Sequence, residues 1–146
     1  MYFATNTTSG NTPYTYEGTV AAAQTFQRGA PVKFDASKNI IEAVVGDTAI
    51  LGFAEHAANP VAPDPNRVTL LVANDDTHMV GRLTAAQAIA ATDVGLGVKV
   101  AKVGNDWQID KTAAGMFMVD AILDPVGTVN GRVMFHVIPA ARLMAY

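Results

Sequence analysis

The chain has 146 residues, of which 50% are hydrophobic and 16% charged, with a formal net charge of −3 and no cysteine. That balance suits one compact domain and excludes a disordered chain, a disulfide-stapled fold and a thiolate metal site. Lys33, Lys38, Lys99, Lys102 and Lys111 are scattered rather than striped, which argues against direct binding to nucleic acid, and no run of about 18 apolar residues exists to span a bilayer.

The start of the chain lacks the basic and apolar regions of a secretory signal, so the expectation is a soluble protein made in a cytoplasm. Met1 to Tyr14 carries Asn, Thr, Ser, Gly and Pro13 with Tyr2, Phe3 and Tyr14 among them, and has no helical or strand period. We read residues 1–15 as an extended arm whose aromatic side chains anchor it on a partner. A single β domain follows over 16–139, with a strand from Tyr16 to Ala22.

Arg28 to Ala57 organises the domain. Val32 and Phe34 alternate with Lys33 and Asp35, Asp35-Ala36-Ser37-Lys38-Asn39 forms a turn, and the apolar run then resumes at Ile40. Gly46-Asp47 breaks the chain again. Thr48 to Ala57 is apolar on both faces, which places it in the middle of a sheet or barrel. Asn59 to Asn66, with Pro60, Pro63 and Pro65, is a stiff extended loop. Arg67 to Ala73 and His78 to Leu83 read as two arms of a hairpin about the turn Asn74 to Thr77. Thr84 is positioned to cap a short helix over Ala85 to Ala91, the one good helical segment. In the strand Met116 to Leu123, the residues Phe117, Val119, Ala121 and Leu123 share a face. Arg132 to Ile138 closes the sheet, and residues 140–146 form an apolar tail with Leu143, Met144 and Tyr146. The expected fold is all-β, a single barrel or sandwich of about nine or ten strands.

A copy of the organising unit recurs later. Aligning Gly29 with Gly95 puts Val32 on Val98, Lys33 on Lys99 and Phe34 on Val100; Arg67 to Val72 then matches Arg132 to Val137, one residue out of that register. Two matches in the same order point to two similar halves, although short β-rich motifs also recur by chance.

Chemistry is hard to assemble from the pattern. His56, His78 and His136 stand in strand contexts with no second ligand at a metal spacing, which favours structural or surface histidines. Asp75-Asp76 reads as a solvated turn, and Asp93-Val94-Gly95-Leu96-Gly97 as turn geometry before a strand rather than a phosphate loop. Serine occurs only at Ser9 and Ser37, without a nucleophile elbow. Trp107 alternates with Ile109, which favours a core or interface residue over a sugar-stacking platform. No enzyme activity, cofactor or metal is expected.

The aromatic-bearing arm, then Gly29-Ala30-Pro31-Val32-Lys33-Phe34-Asp35, a turn, Ile40-Ile41-Glu42-Ala43 and Ile50-Leu51-Gly52-Phe53-Ala54 resemble the small capsid decoration, or cement, proteins of tailed bacteriophages. The resemblance implies a β-rich subunit on the outside of an icosahedral head, commonly a trimer, that clamps neighbouring major capsid proteins after expansion. The expected contact residues are Tyr2, Phe3 and Tyr14 in the arm and Leu143, Met144 and Tyr146 in the tail. The alternatives are a carbohydrate- or receptor-binding β-domain, such as a head-fibre base with Trp107 and the Asn59 to Asn66 loop at its site, and a head-completion or tail-tube subunit.

Overall fold

A computed structural model describes residues 1–3, 14–58, 66–74 and 77–144. Its strands are β1 (Tyr2–Phe3), β2 (Thr15–Thr19), β3 (Pro31–Phe34), β4 (Ile40–Glu42), β5 (Gly52–Ala54), β6 (Arg67–Val72), β7 (His78–Arg82), β8 (Gly97–Val103), β9 (Asp106–Asp110), β10 (Phe117–Ile122) and β11 (Arg132–Val137). They form two antiparallel sheets, of order β2-β6-β5-β3-β4 and β1-β7-β11-β10-β8-β9. With β1 set aside, both sheets follow one plan. The first strand pairs with the fifth, the fifth with the fourth, the fourth with the second, and the second with the third.

The repeat read from the sequence is therefore a repeat of structure, in the same register. Gly52 pairs with both Val32 and Val72, and Phe117 with both Val98 and Val137. Gly29 and Gly95 open the two units at φ 82° and 80°, the left-handed region that glycine enters without a Cβ clash. Their N–H groups donate to the carbonyls of Ala54 and Val119 at 2.7 and 2.8 Å. Each sheet also curls until its ends meet. Val20, just after β2, bridges Ile40 of β4, and Leu83, just after β7, bridges Ile109 of β9, so the second sheet is a nearly closed barrel. Small residues allow these closures. A Cβ on Gly18 would lie 2.6 Å from Ile40 Cδ1, and one on Gly81 would lie 3.0 Å from Ile109 Cγ1.

One hydrophobic core serves both halves. Phe53 of the first sheet meets Phe117 and Phe135 of the second with ring centroids 5.9 and 6.1 Å apart, and Phe117 and Phe135 lie 4.8 Å apart. Gly52, Phe53 and Ala54 are all buried, as expected of a mid-sheet strand, although this strand is shorter than the apolar run that announces it. At Asp35 to Asn39 the Asp35 carboxylate accepts the N–H groups of Ser37 and Asn39, both at 2.8 Å, which fixes the expected turn.

Three expectations need correction. Residues 67–83 form no hairpin: β6 is flanked on both sides by β2 and β5, so β7 crosses to the other sheet and pairs with β1 and β11. The connection is held at Thr77, fully buried, whose hydroxyl donates to the Val72 carbonyl at 2.7 Å. No helix forms over Ala85 to Ala91, and among the described residues the only helical pieces are 3-10 turns at Ala91–Asp93 and Pro139–Ala141. The alanine-rich segment instead opens with a turn at Ala85-Ala86, closed by Gln87 donating to Thr84, and then runs as an extended strap to Ala90, because tertiary partners take its backbone groups: Ile89 donates to Thr128, and Gly127 and Asn130 donate to Ile89 and Gln87. A run of about two turns cannot outbid such pairing by propensity alone. Finally, Leu123 does not share a buried face with Phe117 and Val119. The β10 to β11 register shifts between Val119 and Ala121, and beyond that bulge Leu123 is exposed.

The strap is tied to β9 through Asp110. Burial alone would raise this carboxyl, but the Thr112 N–H and hydroxyl, the Gln87 amide and Lys99 hold it down to about 2 from the usual 3.8. A carboxyl depressed in the folded state adds stability above its unfolded pKa and loses it as pH falls through the folded one. Thermal stability should therefore decline between about pH 4 and pH 2, and Asp110→Asn should flatten part of that decline; an unchanged pH profile in the variant would contradict the assignment. The closure predicts a second result. Gly81→Val should destabilise the protein by about 1–3 kcal/mol in urea unfolding, since the new side chain meets Ile109 and Phe135.

Candidate functional site

The backbone of Tyr2 and Phe3 lies on the molecule's own sheet, pairing with Val80 and Met79 of β7. Most of the arm (4–13) and Tyr146 lie outside the described residues, as do residues 59–65 of the proline-rich loop. Tyr14 is exposed, and its carbonyl accepts the Val72 N–H at 2.9 Å. The tail is strapped to its own body: Ile50 donates to Ala141 at 2.9 Å and Leu143 donates to Ile50 at 3.0 Å. Leu143 is exposed, whereas Met144 packs against the core. Backbone pairing thus takes both ends of the described chain back onto the β body.

A surface that the sequence reading missed lies on the connection from β10 to β11. Leu123, Val126 and Val129 are 42%, 61% and 59% exposed. Val44, Val45, Val94 and Val103 are exposed to a similar degree elsewhere, and what sets this loop apart is that the backbone under its aliphatic side chains is fixed. The strap pins the loop through the Gly127 N–H to the Ile89 carbonyl at 2.8 Å and the Ile89 N–H to the Thr128 carbonyl at 2.9 Å. At its base Asp124 accepts from the Arg132 backbone and guanidinium, both at 2.7 Å. Those hydrogen bonds hold the Asp124 carboxyl down to about 2. The available signal was the pair of valines flanking Gly127 in a stretch whose turn residues, Asp124, Pro125 and Asn130, would ordinarily be accompanied by polar neighbours.

Two histidines that the sequence leaves unpaired are brought together by the fold. His78 of β7 and His136 of β11 are cross-strand partners, with ring centroids 6.0 Å apart. Asp120 is the extra residue of the β10 bulge, and its two carboxylate oxygens lie 2.8 Å from His78 Nδ1 and 2.7 Å from His136 Nδ1. Sequence spacing concealed this cluster because its members stand 42 and 16 residues apart on three strands. His56 remains solitary and exposed, accepting the Thr69 N–H at 3.2 Å.

Trp107 is a core residue, only 3% exposed, which removes it as a stacking platform for sugars. Its Nε1–H donates to Glu42 at 2.8 Å, and Lys102 pairs with the same carboxylate at 2.7 Å while lying over the indole ring. Because Glu42 belongs to the first half and Trp107 to the second, this contact ties the halves together. A cleft of about 390 Å³ lies between Asp47, Thr48, Lys99, Met116 and Ala140. Its two charged groups are already engaged, Asp47 with Lys33 at 2.7 Å and Lys99 with Asp110 at 3.3 Å. No protein-family model matches the chain, and a search of curated proteins finds no match.

Trp107→Phe keeps an aromatic ring but loses part of the buried indole and the donor to a charged, largely covered acceptor. It should cost at least about 2 kcal/mol in urea unfolding and leave binding to a glycan panel unchanged. A neutral substitution, or a change in sugar recognition, would contradict this placement.

Proposed function

We propose that this chain is a structural virion protein that decorates a tailed-phage capsid and stabilises it by bridging neighbouring major capsid proteins. The observation that carries the reading is the pinned crest of Leu123, Val126 and Val129, three exposed aliphatic side chains on a loop whose backbone is already ordered. A preorganised apolar contact loses little conformational entropy on docking, and the apolar area it covers must be uncovered again before the joined shell subunits separate. Sparse charge and the resemblance in the Arg28 to Ala57 unit point the same way. The subunit works on the capsid exterior as a homo-oligomer, a trimer by that resemblance, and makes no direct contact with nucleic acid or membrane. Tyr14 and Leu143 supply further exposed contact area, while the β-paired backbone of Tyr2 and Phe3 anchors the arm at its root.

The test uses phage particles purified from the cells that make this protein. Cryo-electron microscopy should find the chain over capsomer junctions, and the double variant Val126→Asp, Val129→Asp should fold with an unchanged thermal midpoint. Its occupancy on the shell should fall as for a loss of about 2 kcal/mol, roughly 30-fold in affinity. Density only at the tail or a vertex fibre, or full occupancy by the double variant, would overturn the proposal.

A further inference from the structure

We infer that His78, Asp120 and His136 form a binding site for one divalent transition ion of the zinc class. The three residues come from neighbouring strands β7, β11 and β10 and project from the face opposite the core residues Phe135 and Val119. Cross-strand pairing sets the two histidines side by side, and the bulge turns Asp120 towards both. A bulge gives up regular ladder pairing, and here its product is a single carboxylate aimed at two imidazoles.

One potential donor atom from each residue lies within 4.8 Å of the other two. Zinc binds imidazole nitrogen at about 2.0–2.1 Å and carboxylate oxygen at about 2.0–2.2 Å, so donor atoms around a tetrahedral ion sit roughly 3.3 Å apart. To admit the ion the nitrogen-to-oxygen separations of 2.7 and 2.8 Å open by about half an ångström, and the two imidazole donors, which lie within 4.8 Å of each other, settle to the same spacing. Each imidazole then holds its proton on Nε2 and presents the Nδ1 lone pair, and any second proton on a ring leaves to solvent. The carboxylate coordinates as the anion. Three protein donors leave one tetrahedral position for water.

The donor set also selects the class of ion. Two imidazole nitrogens and one carboxylate suit zinc, nickel or copper, whereas calcium and magnesium require a shell of oxygens. Access and desolvation are both present, since the three side chains are 14–21% exposed. The site rests on different residues from the apolar crest and stands whether or not the chain decorates a shell.

The experiment is titration of the metal-free full-length chain with Zn²⁺ by calorimetry, with equilibrium dialysis for stoichiometry and Co²⁺ absorption to report coordination. One ion per chain is expected, together with a rise in thermal midpoint. Losing a ligand should cost no less than losing a partner that merely orients one, so His78→Gln, His136→Gln and Asp120→Asn should each weaken binding at least about 10–100-fold. His56→Ala should leave binding unchanged. Should Asp120→Asn fail to fold, the two glutamine variants decide the matter. Absence of stoichiometric binding, binding that survives these substitutions, or an equal loss in His56→Ala would overturn the inference.

Discussion

The structure depends on one shared apolar contact, the meeting of Phe53 from the first sheet with Phe117 and Phe135 from the second. Each half is a five-stranded curl too small to enclose much core of its own, and small isolated cores are marginal. Facing the two curls around common aromatic residues gives both a single interior. Polar ties between the halves, such as Trp107 to Glu42, set the orientation of one against the other. Burial alone leaves that orientation loosely specified.

The sequence reveals the elements whose determinants are local. Val32 and Phe34 alternate with charged neighbours, Asp35 carries its own turn chemistry, and the two glycine-led units align in the register that the strands adopt. What escapes the sequence is decided by partners far along the chain. Ala85 to Ala91 has helical composition, yet residues 127–130 claim its backbone. The pattern on either side of Asn74 to Thr77 suits a hairpin, but β2 and β5 already occupy both flanks of β6. Leu123 alternates correctly with Phe117 until the bulge at Asp120 shifts the register. His78 and His136 look solitary because strand pairing, rather than spacing, makes them neighbours. The residues of the candidate sites therefore lay in plain view, while the geometry that joins them did not.

Those non-local features also explain how a repeat of two similar halves acquires different surfaces. The closing glycines Gly18 and Gly81 and the opening glycines Gly29 and Gly95 preserve the common plan. The strap, the bulge and the crest of Leu123, Val126 and Val129 belong to the second half. The common interior holds these specialised features at fixed positions relative to one another. The strapped tail, with Ile50 paired to Ala141 and Leu143, extends the same packed body to Met144.

The central claim is that both sheets form one cooperative body around one core, and native-state hydrogen exchange in low denaturant tests it most directly. The amides of Val68 and Leu70 in β6 and of Val133 and Phe135 in β11 should exchange through a common opening whose free energy equals that of global unfolding. Exchange of one sheet at a markedly lower free energy than the other, or two separate unfolding transitions, would contradict the account.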